Sequence, residues 1–171
     1  MVMTGRKIPM PVISKMSREQ FVAVLGGIFE HAPWVAERAW ESRPFRTRAA
    51  LHESMMEVVR QASPELQLAL LRGHPDLATR QRVTDYSAQE QRGAGLDQLT
   101  DAEYAAFMAD NKAYSDKFGF PFILAVKGKS KEQIVSAMQE RTGNDEATEK
   151  QTAFVEIRKI TGFRLEQLLE A

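Results

Sequence analysis

The sequence contains no cysteine. That removes disulfides, thiolate zinc sites, iron–sulfur clusters and cysteine nucleophiles in one step, and it fits a cytosolic protein. An excess of charge is missing too. Lys+Arg and Asp+Glu are both 23, a formal net charge of zero, which gives no support to broad binding of nucleic acid or a membrane surface. Long apolar runs are also lacking. The longest, Phe120 to Val126, is interrupted by Pro121 and falls far short of the roughly 18 residues of a membrane span. The N-terminal MVMTGRKIPMPVISKM carries two prolines and no long apolar centre, so it does not read as a signal peptide. His74 and Asp76 stand two apart with no second histidine at metal-ligand spacing, which argues against a metal site. Gly93-Ala94-Gly95 lacks the third glycine of a dinucleotide fingerprint and follows no strand pattern.

What is present is helical pattern. The chain has 171 residues, 43% apolar and 27% charged, a length and composition that suit one folded domain with a sizeable core. Residues 1–16 read as an irregular tail. Ser17-Arg18-Glu19-Gln20 has the form of a capping box, and Phe21, Leu25, Ile28 and Phe29 continue at helical spacing over 18–30, with His31 closing the helix. Pro33 opens a short helix that Arg43-Pro44 breaks. A third helix spans 47–61, with His52 at the edge of its apolar face. Ser63-Pro64-Glu65 starts a fourth, which Gly73 stops. Thr100-Asp101-Ala102-Glu103 is another capping box and begins a long helix over 101–117. Ser130 starts the next, stopped by Thr142-Gly143-Asn144, and a last helix covers 145–170. Phe122 to Val126 is β-like in residue type, but no partner strand is apparent, so it reads as a buried extended segment. The expectation is an all-α, single-domain bundle of seven or eight helices, occupying 17–171, with an irregular central connector.

The connector, GHPDLATRQRVTDYSAQEQRGAGL from Gly73 to Leu96, is too polar to be core. His74 is fixed between Gly73 and Pro75 and titrates near neutrality, so it can act as acid, base or donor. The alternative is that it caps the preceding helix. Ser87-x-x-Glu90 can start a short helix as a capping box, or present a helix N-terminus to an anion, with Gln91 adding an amide. One charge stands on an unexpected face of the last helix. At about 100° per residue, Arg164 falls about 20° from Ile157, inside the stripe of Ala153, Thr161 and Leu168, whereas Arg158 and Lys159 point about 100° and 200° away. An inward guanidinium needs a partner. That partner is a buried acid, solvent reached by snorkelling, or a substrate carboxylate, which Arg can grip in bidentate fashion.

Four segments then occur in order: Gly73-His74-Pro75-Asp76-Leu77-Ala78; Ser87-Ala88-Gln89-Glu90-Gln91 with Ala94-Gly95-Leu96; Phe118-Gly119-Phe120-Pro121-Phe122; and Glu156-Ile157-x-Lys159-Ile160 ending in Arg164-Leu165. Together they resemble the 2-oxo-4-hydroxy-4-carboxy-5-ureidoimidazoline (OHCU) decarboxylase family of purine breakdown, over residues 17–170. The resemblance implies an all-helical, cofactor-free homodimeric enzyme that converts OHCU, formed from urate, into (S)-allantoin with loss of CO2. It places the catalytic histidine on His74, with Glu90 beside it. Pro75, Ser87 and Gln91 become substrate contacts, the backbone of Phe122, Ile123, Leu124, Ala125 and Val126 a pocket lining, and Arg164 the pocket arginine. It implies a small ureide as substrate, a cytoplasmic location, and neither metal nor nucleic acid as partner. Two other readings of the residues remain: a non-catalytic helical interaction module with the connector as docking loop, and a hydrolase of a related ureide.

Overall fold

Helix starts in this protein are set by short side chains that accept from the backbone. In the computed structural model, which describes residues 6–171, Ser17, Thr100 and Ser130 each close a full capping box with the Gln or Glu three residues on. Thr47 and Ser63 cap two more helices. Among the described residues there are nine α-helices: α1 Met10–Ser14, α2 Arg18–Leu25, α3 Pro33–Ala39, α4 Arg48–Gln61, α5 Pro64–Arg72, α6 Asp85–Gly93, α7 Asp101–Phe118, α8 Lys131–Thr142 and α9 Glu146–Leu168. Pairing of the β type among them is limited to an isolated bridge between Ile8 and Leu169. No helix of the described residues is long and apolar enough to cross a membrane.

The chain divides into two compact units. The first comprises residues 1–73 with Arg158–Ala171. Here α3 packs on α2 and α4, around Phe21, Leu25, Val35, Leu51 and Met55, all buried. The expected irregular tail is corrected here, its residues 1–5 lying outside the described part. Met10–Ser14 is a helix, with Met10 and Ile13 buried. Ile8 N–H donates to Leu168 O at 2.9 Å, and Glu170 N–H donates to Ile8 O at 3.0 Å. A second correction concerns the helix expected over 18–30. It ends at Leu25, because Gly26 and Gly27 carry little helix preference. The turn that follows buries Ile28, Phe29 and the carboxylate of Glu30. His31 therefore caps nothing: it lies exposed at φ 49°. His52 does sit at a boundary, half-buried, with Nε2 2.8 Å from Thr161 Oγ1. Burial and the nearby Arg158 lower its pKa.

The second unit comprises His74–Ile157: the connector, α6, α7, α8 and the first half of α9. Helix α7 packs along α8. Gly119, at φ 79°, stops α7 in the left-handed region that glycine adopts without strain. The chain then enters Phe120–Val126, which forms neither helix, turn nor ladder beyond Phe120 and buries Phe122 through Val126. Phe118, Phe120 and Phe122 gather about the Tyr114 ring at centroid distances of 4.6, 6.0 and 5.3 Å. The segment is buried and unpaired with any strand, as its residue types and isolation in the sequence suggested.

Candidate active site

Helix α5 ends at Arg72, where Gly73 takes an ordinary right-handed conformation and its N–H donates to Ala69 O at 2.9 Å. Gly73 is needed for closeness rather than for a positive φ, since a Cβ there would lie 3.3 Å from Ala69 O and 3.4 Å from Glu30 O. The chain then runs through His74 and Pro75, both half-buried, into a turn closed by Thr79 N–H to Asp76 O at 3.4 Å. Asp76 lies on the outside of this turn, and partial burial of its carboxyl raises its pKa. Ala78 occupies the left-handed region at φ 64° while buried. A non-glycine residue stays there only when its surroundings hold it. Two hydrogen bonds do so: Ala78 N–H donates to Gln91 Oε1 at 2.8 Å, and Asn111 Nδ2 donates to Leu77 O at 2.9 Å.

These bonds dock the His74 loop onto α6. The helix starts earlier than the Ser87-x-x-Glu90 box suggested. Thr84 is the cap, its Oγ1 accepting from Ser87 N–H at 3.3 Å. Ser87 thus sits inside the first turn, buried, and Glu90 one turn later, half-buried. The capping explanation for that pair is corrected. Ser87, Glu90 and Gln91 are related by i, i+3 and i+4 and share one face of α6. Gly95, at φ 77°, ends the helix, with Leu96 N–H returned to Gln91 O at 3.0 Å. The glycine run is a helix stop.

Behind the Phe122–Val126 segment stands a polar cluster that sequence reasoning missed. Arg141 Nη1 donates to Ile123 O at 2.7 Å, and Glu156 Oε1 accepts from Ala125 N–H at 3.0 Å. Glu149, fully buried, accepts from Arg141 Nε at 2.9 Å, from Asn144 Nδ2 at 2.9 Å and from the Tyr114 hydroxyl. Burial and the Glu149 contact push the Tyr114 phenol well above its usual pKa. A periodicity signal for the acids did exist: at about 100° per residue, Glu149 and Glu156 fall about 20° apart, on the flank of the apolar stripe of α9.

Arg164 lies in the first unit and faces inward as its spacing required, with 2% of its side chain exposed. Arg158 and Lys159 are exposed. Its Nη1 donates to Glu30 Oε1 at 3.0 Å and to Ile28 O at 3.1 Å. The buried acid raised as one alternative is therefore present. No group of three or more His, Asp or Glu among the described residues is placed to hold a metal ion.

A family profile described as OHCU decarboxylase matches residues 14–166. The chain belongs to this family. It is 44% identical over 156 residues to the 2-oxo-4-hydroxy-4-carboxy-5-ureidoimidazoline decarboxylase of Halalkalicoccus jeotgali, covering 91% of this chain and 89% of that protein. It is equally identical over 156 residues to the "Uric acid degradation bifunctional protein" of Bacillus sp. strain TB-90, where it spans only 31% of the longer chain and 91% of its own. Among solved structures, an (S)-allantoin synthase superposes with a TM-score of 0.77 at 30% identity, over 95% of this chain and 54% of that one. An OHCU decarboxylase structure determined in the presence of (S)-allantoin shares the fold at a TM-score of 0.69 and 22% identity, over 90% of this chain and 98% of that one. The family and the all-α fold anticipated from the ordered motifs are both found.

Proposed function

We propose that this chain decarboxylates OHCU to (S)-allantoin in urate breakdown, with His74 and Glu90 as its acid–base pair. Pro75, Ser87, Gln91 and the backbone of Phe122–Val126 hold the substrate. Family membership supports the reaction class. The observation that carries the assignment of residues is the hydrogen bond from Ala78 N–H to Gln91 Oε1, which ties the loop of His74 and Pro75 to the helix of Ser87, Glu90 and Gln91. With its Oε1 committed to the loop, Gln91 meets a ligand through its amide nitrogen. Ile123 O and Ala125 N–H, two residues apart, are both taken by protein side chains. In an extended chain such alternate groups share an edge, so the Leu124 peptide faces the other way and is the one left to a ligand.

In the reaction the bond between the ring carbon and the carboxylate breaks. CO2 leaves, and its electron pair forms a C=C bond to the neighbouring ureido-bearing ring carbon, whose C=N electrons pass to the ring nitrogen, which takes up a proton. The hydroxyl then gives up its proton as its carbon becomes a carbonyl, and a proton delivered to one face of the ureido-bearing carbon yields one-handed allantoin. The protein's part is to orient the carboxylate and hydroxyl, offset the developing charge and control the proton. Glu90 and His74 share the hydroxyl at the reacting carbon, and His74 exchanges the proton. The resemblance makes Arg164 the pocket arginine, and we assign to it the anionic or carbonyl end of the substrate. The same reading makes the protein a cytoplasmic, cofactor-independent homodimer, with residues 17–171 as its catalytic domain.

The test oxidises urate enzymatically with hydroxyisourate hydrolase present. Adding this protein accelerates CO2 release and makes the allantoin optically one-handed. Racemic product at the spontaneous rate rejects the proposal. A second expectation separates chemistry from helix capping. Glu90→Gln loses on the order of 100-fold or more in kcat with an unchanged thermal midpoint, because the cap of α6 is Thr84. Full activity in Glu90→Gln removes the carboxylate from the mechanism.

A further inference from the structure

Burying charge is costly, and a buried ion pair is often no more stabilising than an apolar group of the same volume. The second unit nevertheless buries Arg141, Glu149 and Glu156 together beside Phe122–Val126. Arg141 accepts a further cost, since its Nη2 is buried and meets no hydrogen-bond acceptor. What these groups hold is specific. The Arg141 guanidinium lies 4.4 Å from the Phe122 ring centroid while its Nη1 binds the next carbonyl, that of Ile123. Glu149 fixes Arg141 through Nε, and is itself held by the Tyr114 hydroxyl and Asn144. Glu156 holds the amide of Ala125. A cation and an anion thus grip one edge of a chain segment that has no partner strand. Helix α7 carries the grip further. Tyr114 stands one turn from Asn111, which holds Leu77 O in the His74 loop.

We infer that Arg141 and Glu156 are positioning residues for catalysis, fixing the backbone of Ile123 and Ala125 from behind so that the opposite edge of the segment receives the ureide. This rests on the reading of Phe122–Val126 as substrate lining. Arg141 and Glu156 touch backbone rather than substrate, so their loss acts on substrate affinity more than on the chemical step. A merely cohesive role makes the opposite prediction: a lower thermal midpoint, with KM of the folded protein unchanged.

The experiment compares Glu156→Leu, Glu156→Gln and Arg141→Lys with the unmodified chain. Gln keeps an oxygen that can accept from Ala125 N–H, and Leu does not. Lys can reach either Glu149 or Ile123 O but cannot fork to both. In Glu156→Leu and Arg141→Lys, KM for OHCU rises about tenfold or more, the scale of one lost hydrogen bond to a charged group, while kcat falls far less. Glu156→Gln restores KM to near the original value. In parallel, the Ala125 amide exchanges faster with solvent deuterium in Glu156→Leu and Arg141→Lys than in Glu156→Gln. An unchanged KM in folded Glu156→Leu or Arg141→Lys overturns the inference, as does a Glu156→Gln variant as impaired as Glu156→Leu. If the unmodified chain itself does not turn over OHCU, the functional reading fails. The exchange rates then still decide whether these side chains fix the segment, and equal rates in all variants refute that.

Discussion

His74→Ala and His74→Asn are expected to lose about 10²- to 10⁴-fold in kcat, the usual worth of a general acid–base group, with little change in unfolding free energy. The expectation follows from where the loop is anchored. Two hydrogen bonds that hold it to the rest of the second unit are made by its backbone: Asn111 Nδ2 donates to the Leu77 carbonyl, and the Ala78 amide donates to Gln91 Oε1. A substitution at residue 74 removes neither group. The end of α5 is likewise secured by a backbone bond from Gly73 N–H to Ala69 O. The capping alternative raised for His74 therefore predicts a stability loss with activity kept, the reverse pattern. Steady-state kinetics and urea unfolding on the same preparations separate the two. Near-normal turnover in either variant takes His74 out of the chemistry.

How far the sequence alone reaches depends on how local each signal is. The capping boxes at Ser17, Thr100 and Ser130 are complete within four residues, and all three form. The connector is ambiguous because two hydroxyl residues, Thr84 and Ser87, stand three apart. Either could start a helix on local grounds, and the helix caps on Thr84 while α6 docks through Gln91 to Ala78, thirteen residues away. The five-residue α1 is too short to announce itself, and Ile8 just ahead of it pairs with Leu168, Leu169 and Glu170 at the far end of the chain. The direction of Arg164 was legible from helical period. Its partner Glu30 was not, because the helix expected to contain it ends at Leu25, and the irregular turn that follows buries its side chain. Arg141, Glu149 and Glu156 escaped for a related reason: a charged residue on a helix is usually solvated, and here Arg141 and Glu156 hold the backbone of Ile123 and Ala125 while Glu149 holds Arg141.

The largest stability effect is expected at Arg164 and Glu30, and it also decides what Arg164 is for. Their side chains are 2% and 0% exposed and meet at 3.0 Å. Removing one member strands the other charge in the interior, so Glu30→Leu or Arg164→Met alone should cost about 3–5 kcal/mol, measured as a fall in the urea midpoint without a change in slope. Replacing both, as Glu30→Leu/Arg164→Met, leaves no unpaired charge and should recover most of that loss. The double variant then separates two roles that each single variant confounds. If Arg164 serves only to pair with Glu30, turnover of OHCU returns together with stability. If its guanidinium also grips the anionic or carbonyl end of the substrate, as proposed above, the double variant is well folded yet its KM stays raised by tenfold or more, since a lost charge-assisted hydrogen bond is worth about 1.5–3 kcal/mol. Arg164 Nη1 donates both to Glu30 Oε1 and to Ile28 O, so the single variants disturb both bonds at once. A stable double variant with full activity removes Arg164 from substrate binding and leaves it as the internal partner of Glu30.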